Sequence, residues 1–162
     1  MKISNSLYFD YQATTPVSDS VLSKMLPFFR EMAGNAHSKD HSVGWQSSQV
    51  VQAARATIAG FVGADEDEIV FTSWATESNN LALVGYGKRQ AKGERRRILL
   101  SSIEHKSVTE AARVLQEQFD YQIQYLPVDN QGRVVQQELI ESLDSDVLVV
   151  SIMAVNNEIG TI

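Results

Sequence analysis

The sequence predicts an α/β fold, a mainly parallel sheet with helices on both faces, and three observations predict it. From residue 68 onward, short apolar runs alternate with amphipathic stretches of helical length, the pattern of strands joined by right-handed helical crossovers. One run, Val147-Leu148-Val149-Val150 continuing into Ile152-Met153, is apolar at consecutive positions, as suits a central strand buried on both sides. The chain has 162 residues, 43% of them hydrophobic, which is enough for one ordinary domain with a real core.

Taken in order, the elements begin with an extended arm over residues 1–15, with a strand-like start at Leu7 to Tyr11. Residues 16–162 are expected to form one partial large domain with no second complete one. Pro16 and Ser18 open a helix running to about Glu31, with Val21, Leu22, Met25, Phe28 and Phe29 at helical spacing and Pro27 as a candidate kink. A second helix is predicted from Val43 to Val62, because Val43, Val50, Val51, Ala54, Ile58 and Phe61 recur on one face and Gly63 offers a stop. Next come a strand at Glu68 to Thr72, a helix at Glu77 to Lys92, a strand at Arg97 to Ser101 and a helix at Lys106 to Phe119. A strand at Gln122 to Leu126, a turn at Asp129 to Gly132, a short helix at Gln136 to Leu143 and a strand at Val147 to Val155 complete the pattern.

Composition excludes several functions. Net charge is -6 with 21% charged residues, so nucleic acid and anionic membranes are not expected partners. The one basic run, Arg95 to Arg97 near Lys92, reads as a solvated loop face. There is no cysteine, which removes disulfides, thiolate metal sites and thiol nucleophiles within the chain. The start Met1-Lys2-Ile3-Ser4-Asn5-Ser6 has no apolar signal core and no segment reaches the length of a membrane span, giving the expectation of a soluble, cytoplasmic protein. His37 and His41, with Asp40 between them, have a spacing a metal could use, but no third ligand is evident and a polar loop is the main reading.

In open parallel sheets, ligands bind beyond the carboxyl ends of the strands. Just past the first predicted strand come Ser73, Thr76 and Glu77; past the second, Glu104 and His105; past the last, Asn156, Asn157 and Glu158. Hydroxyls and free N–H groups where Thr72 to Asn80 passes from strand to helix form an anion site suited to a phosphate. Capping by Ser73 or Thr76 is the commoner use of such residues, and no Walker or dinucleotide glycine pattern is present. His105 can stack on a planar ring or move a proton, or simply cap a helix. Asn157 can donate to a ligand oxygen, or close an Asx turn.

Together these pieces resemble the cysteine desulfurase family, within the class V aminotransferase group of fold-type I pyridoxal-phosphate enzymes. The resemblance runs nearly end to end. It is carried by Tyr8-Phe9-Asp10-Tyr11-Gln12-Ala13-Thr14-Thr15-Pro16, Gly44-Trp45-Gln46, Gly63-Ala64-Asp65 and Glu68-Ile69-Val70-Phe71-Thr72-Ser73. It continues through Ala75-Thr76-Glu77-Ser78-Asn79-Asn80-Leu81-Ala82, Glu104-His105-Lys106 and Ser151-Ile152-Met153-Ala154-Val155-Asn156-Asn157-Glu158-Ile159-Gly160.

The resemblance implies that pyridoxal 5'-phosphate is the cofactor, with Ala75 and Thr76 on its phosphate. It implies His105 over the pyridine ring, assisting proton transfer, and Asn157 on the ring's phenolic oxygen. It implies conversion of L-cysteine to L-alanine with the sulfur carried as a persulfide toward iron-sulfur clusters or thio-cofactors. The sequence ends at Ile162, before the segments that carry the family's Schiff-base lysine and catalytic cysteine, so the expectation is an N-terminal portion that is inactive alone. Its expected partners are a second copy of the chain or a complementary C-terminal half, and a sulfur-acceptor protein. A non-catalytic interaction module and a selenocysteine lyase or other class V activity are the alternatives. Trp74 stands where the family usually has glycine, which would be costly at a positive φ; Ala36 and Ala154 replace a usual proline and a frequent histidine.

Overall fold

The computed structural model describes residues 2–3 and 6–162. Met1, Ser4 and Asn5, part of the start that lacks a signal core in sequence, lie outside the described residues. The chain divides into two compact units, one reaching to Phe71 and the other running from Thr72 to Ile162.

In the first unit, β1 (Lys2–Ile3) and β2 (Ser6–Leu7) pair antiparallel. Two helices come next, α1 (Asp19–Arg30) and α2 (Ser42–Val62). Pro27 is held inside α1, and the chain leaves the helix through Glu31 and Met32 N–H groups that both reach the Pro27 carbonyl. The apolar stripe of α1 exists at the expected spacing, yet none of its residues is buried. Helix α2 starts with His41 as its N-cap, the imidazole Nδ1 accepting the Gly44 N–H at 3.1 Å. It ends at Gly63, whose φ of 71° is the left-handed conformation that glycine adopts without steric cost. Gly44 has its own reason: a Cβ there would lie 2.0 Å from the Ser38 carbonyl oxygen.

The predicted strand at Glu68 to Thr72 is not formed. Glu66–Glu68 makes a 3-10 turn closed by a capping box between Asp65 and Glu68, and the residues after it join no ladder. The Ile69 carbonyl instead accepts the Arg55 side chain at 3.2 Å, and the Arg55 guanidinium lies 5.1 Å from the Phe71 ring centroid. Strand formation needs a partner strand to take its backbone groups, and none pairs here among the described residues.

The second unit contains a three-stranded parallel sheet in the order β4-β3-β5, made of β3 (Arg97–Ser101), β4 (Gln122–Leu126) and β5 (Val147–Ser151). Its first helical stretch runs as α3 (Ala75–Asn80), a π-helical segment Leu81–Gly85 and α4 (Tyr86–Gln90). Then come α5 (Lys106–Phe119) and α6 (Gln136–Ser142). Ile98, Leu99 and Leu100 have no solvent exposure at all, because alternate side chains of β3 enter two different cores. Ile98 and Leu100 pack with Leu83 and with Val108, Ala111, Ala112 and Leu115, the i, i+3, i+4, i+7 face of α5. Leu99 turns the other way and packs with Leu126, Val147 and Leu139 of α6. The sheet thus carries helices on both faces.

One expectation is corrected here. The central strand is β3, not the run at Val147 to Val155; β5 is an edge among the described strands and ends at Ser151. Val150 of this strand is 38% exposed. The basic run also proves structural: the Arg96 backbone N–H bonds Asp146, and Arg97 bridges Asp144 at 2.6 Å while bonding Gln124. No helix among the described residues is long and apolar enough to cross a membrane.

Candidate functional site at the carboxyl ends of the strands

Three junctions in the second unit carry the residues singled out by sequence. The first is the turn into α3. Neither Ser73 nor Thr76 is the N-cap; that position belongs to Trp74, which makes no side-chain cap. Trp74 has φ -155° and ψ 167°, ordinary extended backbone, and its ring is 80% exposed. Tryptophan therefore carries no left-handed strain at this position. The Glu77 carboxylate reaches back over the turn and accepts both the Ser73 N–H at 2.6 Å and the Ser73 hydroxyl at 2.7 Å. The Ser73 hydroxyl first, and its N–H second, hold the Glu77 carboxyl below its ordinary value of 4.5. Ala75 and Thr76 sit exposed in the first turn of the helix, where N–H groups have no intrahelical acceptor.

The second junction lies at the end of β3. His105 is the N-cap of α5, its Nδ1 accepting the Ser107 N–H at 3.1 Å and lying 2.8 Å from the Ser107 hydroxyl. Beside it, Glu104 accepts the Ser101 hydroxyl at 3.0 Å and the Met153 N–H at 2.6 Å, which ties the end of β3 to the segment after β5. The third junction is that segment. Buried Asn156 donates to the Ile103 carbonyl at 3.0 Å, and its side-chain oxygen accepts the N–H groups of Glu158 and Ile159. Asn156 thus closes an Asx turn of its own, and Asn157 beside it is exposed.

His105 and Asn157 line one open cleft of about 320 Å³, together with Ile103, Glu104, Asn156 and Glu158. Thr76 is not in that wall. Its helix is linked to it by Asn79, whose side-chain amide donates to the Ser107 hydroxyl at 2.8 Å, the same hydroxyl that touches His105. A larger hollow of about 490 Å³, lined by Tyr86, Gln90, Arg95 and Leu148 among others, lies at the amino ends of β3 and β5, the end of a parallel sheet that ligands do not use. His41, the capping residue of α2, lies in the first unit, and no group of three potential metal ligands occurs among the described residues.

Asn79, Ser107 and Glu104 carry the geometry of the cleft, and only Glu104 stood out by strand-end position. Ser107 was detectable in principle, as a hydroxyl two residues past a candidate cap. The bond from Asn79 spans 28 residues and leaves no local trace.

An α/β sheet with a polar cleft beyond its carboxyl strand ends defines the class of scaffold. The chain belongs to the class-V aminotransferase family, whose model matches residues 7–162. It is 46% identical over 157 residues to the mitosomal cysteine desulfurase of Trachipleistophora hominis, an alignment covering 96% of this chain and 35% of that protein. It is likewise 46% identical over 156 residues to the cysteine desulfurase IscS of Rickettsia akari, covering 96% of this chain and 38% of that one. Among solved structures, a NifS-like protein superposes with a TM-score of 0.86 at 39% identity, over 94% of this chain and 41% of its own. A structure of SspA in complex with cysteine gives 0.84 at 35% identity, over 94% and 43%. The chain thus spans well under half the length of these relatives.

Proposed function

We propose that this chain forms the cofactor-cradling part of a pyridoxal-phosphate-dependent cysteine desulfurase. The observation that carries the reading is that His105 and Asn157, remote in sequence, line one cleft at the carboxyl ends of β3 and β5. The bond from Asn79 joins that wall to the helix beginning with Ala75 and Thr76.

The donor set suits the cofactor. The turn into α3 already accommodates an anionic oxygen, that of Glu77, and the first-turn N–H groups with the Thr76 hydroxyl are the groups a phosphate needs. In this reading Ala75 and Thr76 hold the phosphate, the His105 imidazole covers the ring plane and moves a proton, and the Asn157 amide bonds the phenolic oxygen. Pyridoxal phosphate, when bound, supplies an electron-withdrawing ring that stabilises negative charge at the substrate carbon. The substrate is L-cysteine and the products are L-alanine and sulfur passed to a thiol. The chain has no cysteine, so that thiol lies outside these 162 residues. A sulfur-acceptor protein and a second copy of the chain are partners in the same proposal, the latter supported by exposed apolar residues such as Phe29 on α1.

The test is spectroscopic. Pyridoxal phosphate titrated into the chain is expected to give a saturable change in its visible absorption, weakened at least tenfold by Thr76→Ala or His105→Ala. Alanine formation from L-cysteine, and sulfide released by an added thiol reductant, are then assayed with a polypeptide corresponding to the rest of a matched relative added. A cofactor spectrum that stays that of free pyridoxal phosphate at saturating chain overturns the reading.

A further inference from the structure

We propose that Asn79 and Ser107 are positioning residues that fix the tautomer and orientation of His105; the catalytic meaning of this relay rests on the functional reading above, its geometry does not. Ser107 meets the imidazole twice. Its backbone N–H points at Nδ1 at 3.1 Å, and an N–H donor requires a lone pair there, so Nδ1 carries no hydrogen. The Ser107 hydroxyl, 2.8 Å from the same nitrogen, must then be the donor in that contact. With its only hydrogen spent, the hydroxyl oxygen is left as an acceptor, and the Asn79 side-chain amide donates to it at 2.8 Å.

Each assignment forces the next, so the three residues form a directed chain of donors: Asn79 to Ser107 to His105. Ser107 is buried, which keeps water from replacing either partner cheaply. The consequence is that the neutral form of the imidazole carries its hydrogen on Nε2, in a ring held by its Nδ1 face at the start of α5 and lining the cleft. In the functional reading, Nε2–H is then the group of the ring free to donate a hydrogen bond, and Asn79 connects the orientation of that donor to the helix whose first turn holds the phosphate.

The experiment uses the whole chain labelled with 15N-histidine, at a pH about two units above the ordinary imidazole value so that the rings are neutral. Long-range 1H–15N spectra report each ring nitrogen separately, with His37 and His41 assigned by their glutamine variants. His105 is expected to show a lone-pair Nδ1 and a hydrogen-bearing Nε2. Ser107→Ala is expected to shift the Nδ1 resonance toward that of a nitrogen with one fewer donor, and Ser107→Thr to restore it. Asn79→Asp is expected to give a shift of the same sign, because a carboxylate draws the hydroxyl hydrogen away from Nδ1. A wild-type His105 with its hydrogen on Nδ1 overturns the relay whatever the variants do, as does an Nδ1 resonance unmoved in Ser107→Ala. Adding pyridoxal phosphate to the same samples separates the two claims. An unchanged cofactor spectrum sinks the functional reading while the nitrogen shifts still decide the relay; cofactor binding with unmoved nitrogens sinks the relay alone. If both hold, Ser107→Ala weakens cofactor binding by about threefold to tenfold, the value of one hydrogen bond.

Discussion

Trp74 and Glu77 show how single side chains set the turn before α3. Tryptophan is tolerated because the backbone is extended and the ring is in solvent, so Trp74→Gly is expected to change stability by no more than about 0.5 kcal/mol; equilibrium denaturation measures this. Glu77 acts in the opposite sense. Its carboxyl is held below the ordinary value by Ser73, so its contribution is fully present above that value, 4.5, and is lost as the pH falls through the lowered one. The Ser73 amide resonance should therefore titrate with a midpoint below 4.5, and Glu77→Gln should abolish the transition. His105 was legible as either cap or catalyst from its place before a helix, and it does cap. Its ties to Ser107 and Asn79 were not legible, since the Asn79 bond depends on how two helices pack.

At the scale of elements, β3, α5 and β4 match the predicted bounds because a local pattern suffices there. The face of α5 and the alternation in β3 each point to a core that exists. Gly63 likewise announced the end of α2, and with nothing within 4 Å of the added Cβ, Gly63→Ala tests conformation alone. It is expected to cost about 1 kcal/mol, read from the denaturation midpoint. Residues 69–72 failed as a strand for a reason no local pattern contains: ladder partners are non-local, and Arg55 takes the Ile69 carbonyl instead. The order of the strands is equally non-local, which is why an apolar run at Val147 suggested a central strand that proved to be an edge.

For the whole molecule, stability and site are built into the same sheet. Leu115, 1% exposed, lies in the larger core against the α5 side of β3, and Leu115→Ala is expected to cost about 2–5 kcal/mol by opening a cavity. Beyond the strand ends, Glu104 and Asn156 cross-link the β3–α5 junction to the segment after β5, so the cleft is shaped by the fold rather than by a mobile loop. The most direct measurement is an NMR titration with pyridoxal phosphate that tracks four probes: the Ala75 and Thr76 amides, the His105 ring nitrogens and the Asn157 side-chain amide. All four are expected to move together along one binding curve. Probes that stay still, or that trace separate curves, would contradict a single cradle.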